Sequence, residues 1–520
     1  VAPAVSARQP MPEPAAFDYT RLSHPPVTFR HEKLKADERL PAARRRIVER
    51  ALNEVFAGPR EDLGIVVLGG LHNTLVRALA AFGLADAFGA PALPILVLNV
   101  VHPLVPEEIV AFCRGKRAVL VVEEGQPEFV EQEILATLRR AGVGTAIEGK
   151  GPLPMAGEYT VEVLARGLSA FLGRHAPGLD RAEGDRWLRS VDERRAAIAK
   201  ALGEPLPPRP PNFCIGCPER PVFAAMKLAK RTTGPIHVAA DIGCHSFATF
   251  EPFSQGHSIL GYGMSLASRA GVSPAMGRRV VAVMGDGGFW HNGVVTGVQS
   301  ALFNGDDAVL LILKNGYTSA TGTQEIISTP DEAAKATAAD KTRSLVHDNR
   351  VIERTLEGLG VRWMRTVDSY RVDAMRATVE EALTTEFAGL KVIIAEGECQ
   401  LERQRRVKPW RAGLERERRR YVRVKYGVDE DVCSGDHSCI RLSGCPTLSV
   451  KDSGDPLKVD PVATVLDGCV GCGLCGENAH AATLCPSCYR AEGIRHPGWR
   501  DRALAAVRGA FGRLLLRRSA

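Results

Sequence analysis

The sequence predicts an α/β protein, with two doubly wound parallel-sheet domains followed by a small α+β domain dense in cysteine. Three observations carry this. Short β-branched and apolar runs alternate with helical patterns as far as about residue 400, the signature of repeated βα units. Two of these runs end in Gly-Asp-Gly-Gly and Asn-Gly turns, on the side of an open sheet where ligands gather. Eight of the thirteen cysteines then fall between Cys433 and Cys488.

Length and composition set the frame. At 520 residues the chain accommodates about three domains with cores of their own. Its apolar and charged fractions, 45% and 24%, are those of ordinary globular domains. No apolar run is long enough to span a bilayer, and the first residues lack a secretory core, so a cytoplasmic, reducing location is expected. The first residue is Val, which reads as a fragment or a processed product. The net charge of +7 is concentrated in Arg403–Lys425. That basic run has no aromatic platform beside it, which argues against nucleic acid and for a solvated linker or a docking face for an acidic electron carrier.

Along the chain, residues 1–17 are Pro/Ala-rich and expected to be flexible. Residues 18–175 form the first α/β domain, with strands at Gly64–Leu68, Ile95–Val101 and Ala118–Val122 and a helix over Pro127–Arg140. Residues 176–211 read as a helical, then Pro-rich, linker. Residues 212–400 form the second α/β domain and 401–428 a basic linker. The cysteine-rich domain occupies 429–492. A basic amphipathic tail, 493–520, is expected to be a packed surface helix.

In the second domain the strand Val280–Met284 runs into Gly285-Asp286-Gly287-Gly288, with a helix expected from about Asn292. Such a turn aims backbone amides at a diphosphate, and its glycines permit close approach. The next apolar strand, Ala308–Leu313, ends at Lys314-Asn315-Gly316-Tyr317. Parallel pairing would set these ends side by side. Asp286, the Asn315 amide oxygen and the Tyr317 carbonyl could then share one divalent ion. Gly-Asp-Gly alone is a common turn. Followed 29 residues after Asp286 by Asn315 at the next strand end, it is the fingerprint of thiamin diphosphate bound through magnesium. Two ordinary βα turns are the competing reading.

The C-terminal cysteines are spaced as in a two-cluster iron–sulfur module. Cys469-x2-Cys472-x2-Cys475 places three thiolates on one glycine-rich loop, and Cys445 and Cys485 are each followed by proline, as crossover ligands are in bacterial-type ferredoxins. One [4Fe-4S] cluster is assigned to Cys469, Cys472, Cys475 and Cys445. The other is assigned to Cys433, Asp436, Cys439 and Cys485. A carboxylate in place of a thiolate makes that corner labile and open to a [3Fe-4S] form. His437 is the rival ligand. Nine residues separate Cys475 from Cys485 where three is usual, so Cys488 competes with Cys485. A zinc ribbon or a disulfide knot fits the spacing less well. Cys214, Cys217, Cys244 and Cys399 suggest a third cluster beside the thiamin site. From spacing alone, a redox pair plus two buried thiols is as good a reading. Cys113 has no companion and reads as core.

Taken together, these residues resemble the α subunits of indolepyruvate:ferredoxin oxidoreductases, within the 2-oxoacid:ferredoxin oxidoreductases, over nearly the whole chain from about Tyr19. Leu93–Pro106 and Val121–Ile134 resemble the family's transketolase C-terminal-like domain. Phe213–Arg220, Asp241–His245, Met284–Gly293 and Lys314–Gln324 resemble its thiamin diphosphate-binding domain, and Cys433–Pro486 its ferredoxin domain. The resemblance favours a proximal cluster on Cys214, Cys217, Cys244 and Cys399. It implies oxidative decarboxylation of an aryl pyruvate with coenzyme A, giving an acyl-CoA, carbon dioxide and reduced ferredoxin, alongside a smaller β subunit. His291 is the candidate polar group near the reacting carbon, with a purely structural role as the alternative. The family's N-terminal pyrimidine-binding domain has no counterpart here, which reads as a truncated or split subunit. A non-oxidative thiamin decarboxylase would lack the cysteines, whereas an electron-transfer module dependent on a partner chain would keep them.

Overall fold

β-Branched and leucine-rich runs buried on both faces make the two main sheets. The computed structural model describes residues 24–205, 210–332, 335, 341, 345–346 and 349–516, in two units that divide between Pro207 and Pro208.

The first unit is built on β1 (Glu54–Phe56), β2 (Leu63–Leu68), β3 (Ile95–Leu98), β4 (Ala118–Val122) and β5 (Ala146–Glu148), in the order β1-β3-β2-β4-β5. Three of the four pairings are parallel, and β1 runs antiparallel to β3 at the edge. Every residue of β3 and β4 is buried, as a parallel sheet covered on both faces requires. One face packs on the helices His72–Ala81 and Val161–His175, the other on Pro106–Cys113 and Phe129–Arg140. The expected strand Ile95–Val101 stops at Leu98, because Asn99 turns away to donate to Leu52 O (2.9 Å) and Glu54 Oε2 (3.0 Å). The expected linker is partly core. Helix Ala182–Leu202 seats Leu188 and Trp187 in the first unit's apolar cluster.

The second unit carries six parallel strands: β6 (Val238–Ala240), β7 (Ser258–Ile259), β8 (Val281–Gly285), β9 (Val309–Lys314), β12 (Trp363–Asp368) and β13 (Lys391–Glu396), ordered β12-β13-β9-β8-β6-β7. A small hairpin, β10 (Tyr317–Thr318) and β11 (Gln324–Glu325), follows β9. Both sheets therefore bear out the α/β expectation, with an antiparallel edge added to the first.

The cysteine-rich module belongs to this same unit. It consists of two antiparallel pairs, β14 (Tyr421–Val428) with β17 (Cys488–Arg495) and β15 (Leu448–Lys451) with β16 (Val462–Val465), and of helices Ser438–Ser443 and Leu474–Thr483. Leu442 and Leu474, one from each helix, join the apolar core under the six-stranded sheet. Residues 401–428 are not a solvated linker. Helix Gln400–Arg416 buries Val407 and Leu414, and the remainder becomes β14. Nor is the tail helix Trp499–Leu516 packed down as expected, since Trp499, Leu504, Val507 and Phe511 are exposed. The flexible segment expected at 1–17 lies outside the described residues. Among the described residues no helix is long and apolar enough to cross a membrane.

Gly184 offers a test of the linker reassignment. In an open helix, Gly→Ala gains up to about 1 kcal/mol. Here a Cβ would lie 2.0 Å from Phe82 Cδ1, close to the root of a buried ring. Overpacking of this kind costs about 1–3 kcal/mol. Gly184→Ala should therefore lower the thermal midpoint of the first unit, and an unchanged or raised midpoint would return this helix to the linker.

Candidate active site

The C-terminal ends of β6, β8, β9 and β13, four neighbouring strands, deliver the site. Asp286 follows β8 directly and opens a helix that starts six residues earlier than expected, continuing through Phe289–Gln299 with the wider π spacing. Its carboxylate is fully buried. Oδ1 accepts from Gly287 N (3.0 Å) and Oδ2 from Gly316 N (2.6 Å), the second bond crossing from one strand end to the next. Burial pushes its pKa up to about 7 against these amide bonds, and a cation alongside would restore the anion.

Asn315 follows β9. Its Oδ1 accepts from Tyr317 N (3.1 Å) and Ser319 Oγ (2.9 Å), and its Nδ2 donates to Glu219 Oε1 (3.2 Å). The preceding Lys314 is fully buried, donating to Glu353 Oε1 (3.0 Å) and Glu396 Oε1 (2.6 Å), which anchors the strand end.

A cavity of about 200 Å³ opens over these turns. Gly285, Gly287, Gly288, Asn315 and Tyr317 line it, together with Glu219, Cys244, His245, Tyr262 and Thr318. Asp286 lies outside the lining. Two features fit a diphosphate with its metal ion. Added Cβ atoms would lie 2.4 Å from Thr318 Oγ1 at Gly287 and 2.2 Å from Asp241 Oδ2 at Gly288, so the cradle exists only as bare backbone. Glu219 keeps Oε2 buried without a hydrogen-bond partner, an acceptor left for a bound group. Carboxylate, amide and carbonyl oxygens are the hard donors that magnesium takes.

His245 was not singled out in the sequence as a reacting group, yet it is the histidine of this cavity. It is fully buried and ion-paired with Asp241, whose Oδ2 accepts from Gly263 N (2.7 Å). Burial disfavours its charge, but the Asp241 carboxylate and Glu219 outweigh this and raise its pKa above the ordinary value. The available signal was Asp241-x3-His245 at a strand end. His291, the sequence candidate, is exposed. Its ring stands 4.9 Å from that of Tyr262, outside the lining.

The structure brings together Cys214, Cys217, Cys244 and Cys399. Cys244 lies in electrostatic range of the other three, and Ser319 hydrogen-bonds Cys399. Burial raises the pKa of Cys217, Cys244 and Cys399. Gly216, between Cys214 and Cys217, rests against the second cysteine loop. A Cβ there would be 2.5 Å from Val470 Cγ2 and 3.5 Å from Cys472 Cβ. Cys445, Cys469, Cys472 and Cys475 line one enclosed cavity, and burial pushes the Cys472 thiol up to about 12.

Cys433, Cys439 and Cys485 share an apolar cluster with Val462 and Ala463. Asp436 is turned onto the start of the next helix, where its Oδ2 accepts from Ser438 Oγ (2.5 Å). His437 Nε2 donates to Pro461 O (2.8 Å). Cys488 lies beside Cys475. Cys113 is buried core, as expected. Among the described residues, no three His, Cys, Asp or Glu side chains converge as they would on a single metal ion. The four thiolates of a cubane bind four different irons, so they stand further apart than the ligands of one ion.

The parallel sheet and the glycine cradle are those expected of a thiamin diphosphate-binding domain. Residues 241–395 match the family described as thiamine pyrophosphate enzyme, C-terminal TPP binding domain. In sequence the chain is similar to the indolepyruvate oxidoreductase subunits called IorA. It is 29% identical to that of Methanothermobacter thermautotrophicus over 93% of this chain and 69% of the relative. It is 30% identical to that of Archaeoglobus fulgidus over 82% of this chain, spanning 59% of the relative's length. A solved 2-oxoglutarate:ferredoxin oxidoreductase from Magnetococcus marinus matches 37% of this chain and 66% of its own at 16% identity. Its TM-score of 0.30 is too low to carry an argument.

Gly288→Ala tests the cradle. Its Cβ would displace Asp241 and with it the Gly263 hydrogen bond. With overpacking costing about 1–3 kcal/mol, affinity for thiamin diphosphate with magnesium should fall about tenfold or more by calorimetry, while far-UV circular dichroism stays near wild type.

Proposed function

We propose that this chain takes part in the oxidative decarboxylation of an aryl pyruvate, with coenzyme A as acyl acceptor and ferredoxin as electron acceptor, and that it works with a smaller β subunit in the cytoplasm. Indolepyruvate is the substrate favoured by the names of the relatives. One observation carries the reading. Cys244 is shared between the thiamin cavity and the Cys214, Cys217, Cys399 group, whose loop touches Cys472 of the ferredoxin-like module. A cavity for carbon chemistry and a file of thiolates leading away from it are thus built in one unit.

Thiamin diphosphate, held through magnesium by Asp286, Asn315 and the Tyr317 carbonyl, would supply the electron sink for decarboxylation. [4Fe-4S] clusters would take the electrons singly. The cysteine assignments are those of the sequence: Cys214, Cys217, Cys244 and Cys399; Cys445, Cys469, Cys472 and Cys475; and Cys433, Asp436, Cys439 and Cys485. The protein's own part is to fix groups in place. Gly285, Gly287 and Gly288 admit the diphosphate against backbone. Asp241 holds the His245 ring at the cavity wall as a hydrogen-bond donor, and Glu219 offers a buried acceptor opposite Asn315.

A second reading is favoured by the cavity's rim. Ile242 lines the cavity while 50% exposed, and Leu260 and Met264, on either side of Tyr262, are 66% and 37% exposed. Apolar side chains around a polar site suit coverage by another polypeptide. In that case this chain holds the diphosphate and the clusters, and catalysis needs a partner that supplies the pyrimidine site.

Anaerobic reconstitution decides between the readings. About twelve iron and twelve sulfide per chain are expected for three full cubanes, with brown absorbance that bleaches when thiamin diphosphate, magnesium, indolepyruvate and coenzyme A are added. Bleaching by the isolated chain would sink the second reading, whereas bleaching only with a partner subunit would support it. Absence of both the absorbance and thiamin diphosphate binding would overturn the function. Within the module, Cys485→Ser should lose about one cubane's iron, and Cys488→Ser should retain it.

A further inference from the structure

Arg220 is fully buried between the two cysteine loops. Its Nε donates to Cys214 O (3.1 Å), Nη1 to Ser443 O (3.0 Å) and Gly444 O, and Nη2 to Asn212 Oδ1 (3.3 Å) and Phe213 O. All five acceptors are neutral oxygens. Its guanidinium also lies 5.5 Å from the centre of the Phe213 ring. Lys314 and Lys391, likewise fully buried, each meet carboxylates. Among the described residues no carboxylate pairs with Arg220. The titratable groups nearest to it are the thiols of Cys217, Cys445, Cys214 and Cys472.

A buried cation without a counter-charge is strongly destabilising. Neutral thiols would not relieve it, but thiolates bound to iron would. Clusters bound by the cysteines around it would supply the counter-charge that its five neutral acceptors do not. It also grips both sides of one contact: the Cys214 carbonyl on one loop, and the Ser443–Gly444 turn leading into Cys445 on the other. At that contact Gly216 faces Val470 and Cys472, and Tyr370 donates to Gly216 O (2.5 Å).

We propose that Arg220 is a positioning residue that balances the charge of two neighbouring iron–sulfur sites, Cys214/Cys217/Cys244/Cys399 and Cys445/Cys469/Cys472/Cys475, and locks their loops together. It thereby raises the reduction potential of these sites and sets the electron step between them. This rests on the iron–sulfur reading above. Each electron received makes a cluster more negative by one charge, and a fixed cation in a medium of low dielectric stabilises that reduced form.

The test compares Arg220→Gln and Arg220→Lys with wild type in the full, anaerobically reconstituted chain. Iron and sulfide are counted, and midpoint potentials are read by EPR-monitored redox titration. Arg220→Gln should keep its iron while at least one cluster becomes tenfold or more harder to reduce, a negative shift of about 59 mV for one electron. Arg220→Lys should stay near wild type. Unchanged potentials in an iron-replete Arg220→Gln overturn the proposal and leave the iron–sulfur reading standing. Equal shifts in both variants assign the effect to packing and also overturn it. Should Arg220→Gln not hold iron, Arg220→Lys decides: clusters kept at near-wild-type potential support the charge role, and clusters lost there too refute it. A wild-type chain without iron and sulfide refutes the underlying reading, and the proposal with it.

Discussion

The hydrogen bond from Gly316 N to Asp286 Oδ2 ties together the ends of β8 and β9, and the site depends on it. Parallel pairing in the register Gly285 to Leu313 brings the two turns level. The crossing bond then fixes which way each turn faces. It uses one lone pair of a buried carboxylate and leaves others for a metal ion. The chain after Gly316 folds into the short hairpin, placing Tyr317 and Thr318 on the cavity wall opposite Tyr262, with Tyr262 Oη 3.0 Å from Thr318 Oγ1. Lys314 secures the same strand end from beneath through Glu353 and Glu396. Each of these contacts assumes that the two strand ends are already in register.

Burial governs the electrostatics of the unit. Asp241, Glu219 and Asp286 place three carboxyl groups around the cavity with one histidine among them. Desolvation raises Glu219 and Asp286, the response of carboxyl groups crowded in a low dielectric without enough positive charge. A divalent cation at Asp286 would correct that imbalance. Burial acts on the cysteine loops in the same direction. Their thiols are pushed up by burial, and the neighbouring cation, Arg220, has only neutral acceptors. Metal at the cavity and iron at the cysteines would each supply the charge that its surroundings lack.

Much of this was legible in the sequence. Strands β2, β4, β8 and β9 were visible because parallel strands covered on both faces read as unbroken apolar runs. The turns at Gly285–Gly288 and Lys314–Tyr317 were visible because glycine and asparagine mark places where backbone must approach a ligand. Other features carry little local signal. Edge strand β1 is three residues long and mostly exposed, with the burial pattern of a loop. Helix Gln400–Arg416 has only three buried residues among its charges, so its composition resembles that of a linker although Val407 and Leu414 are held in place. His291 and His245 could not be ranked from sequence, since which of them faces the cavity follows from how the segments after β6 and β8 fold over it. Arg220 was equally opaque. Its importance lies in acceptors contributed by Ser443 and Gly444, more than two hundred residues away.

The two halves of the cysteine module use one local code, and that code sets Cys485 beside Cys445 in kind. Each half has a short helix that ends at a left-handed residue, Gly444 or Leu484, followed by Cys-Pro and a hydroxyl residue. Cys445 Sγ is 3.1 Å from Thr447 Oγ1, and Cys485 Sγ is 3.0 Å from Ser487 Oγ. In both, the hydroxyl can donate to a sulfur, the kind of bond that tunes a cluster's potential. Cys488 follows a different rule. It begins β17 and lies beside Cys475, outside the Cys-Pro-hydroxyl pattern that Cys485 shares with Cys445. The symmetry breaks in helix length, 6 residues against 10, and at Asp436, which stands where the other half has Cys472. Its carboxylate is 37% exposed and engaged by Ser438, whereas Cys472 is enclosed against Gly216 and Arg220. The carboxylate is thus found in the half away from the cavity. The half that touches the cavity-side cysteines keeps all four thiolates.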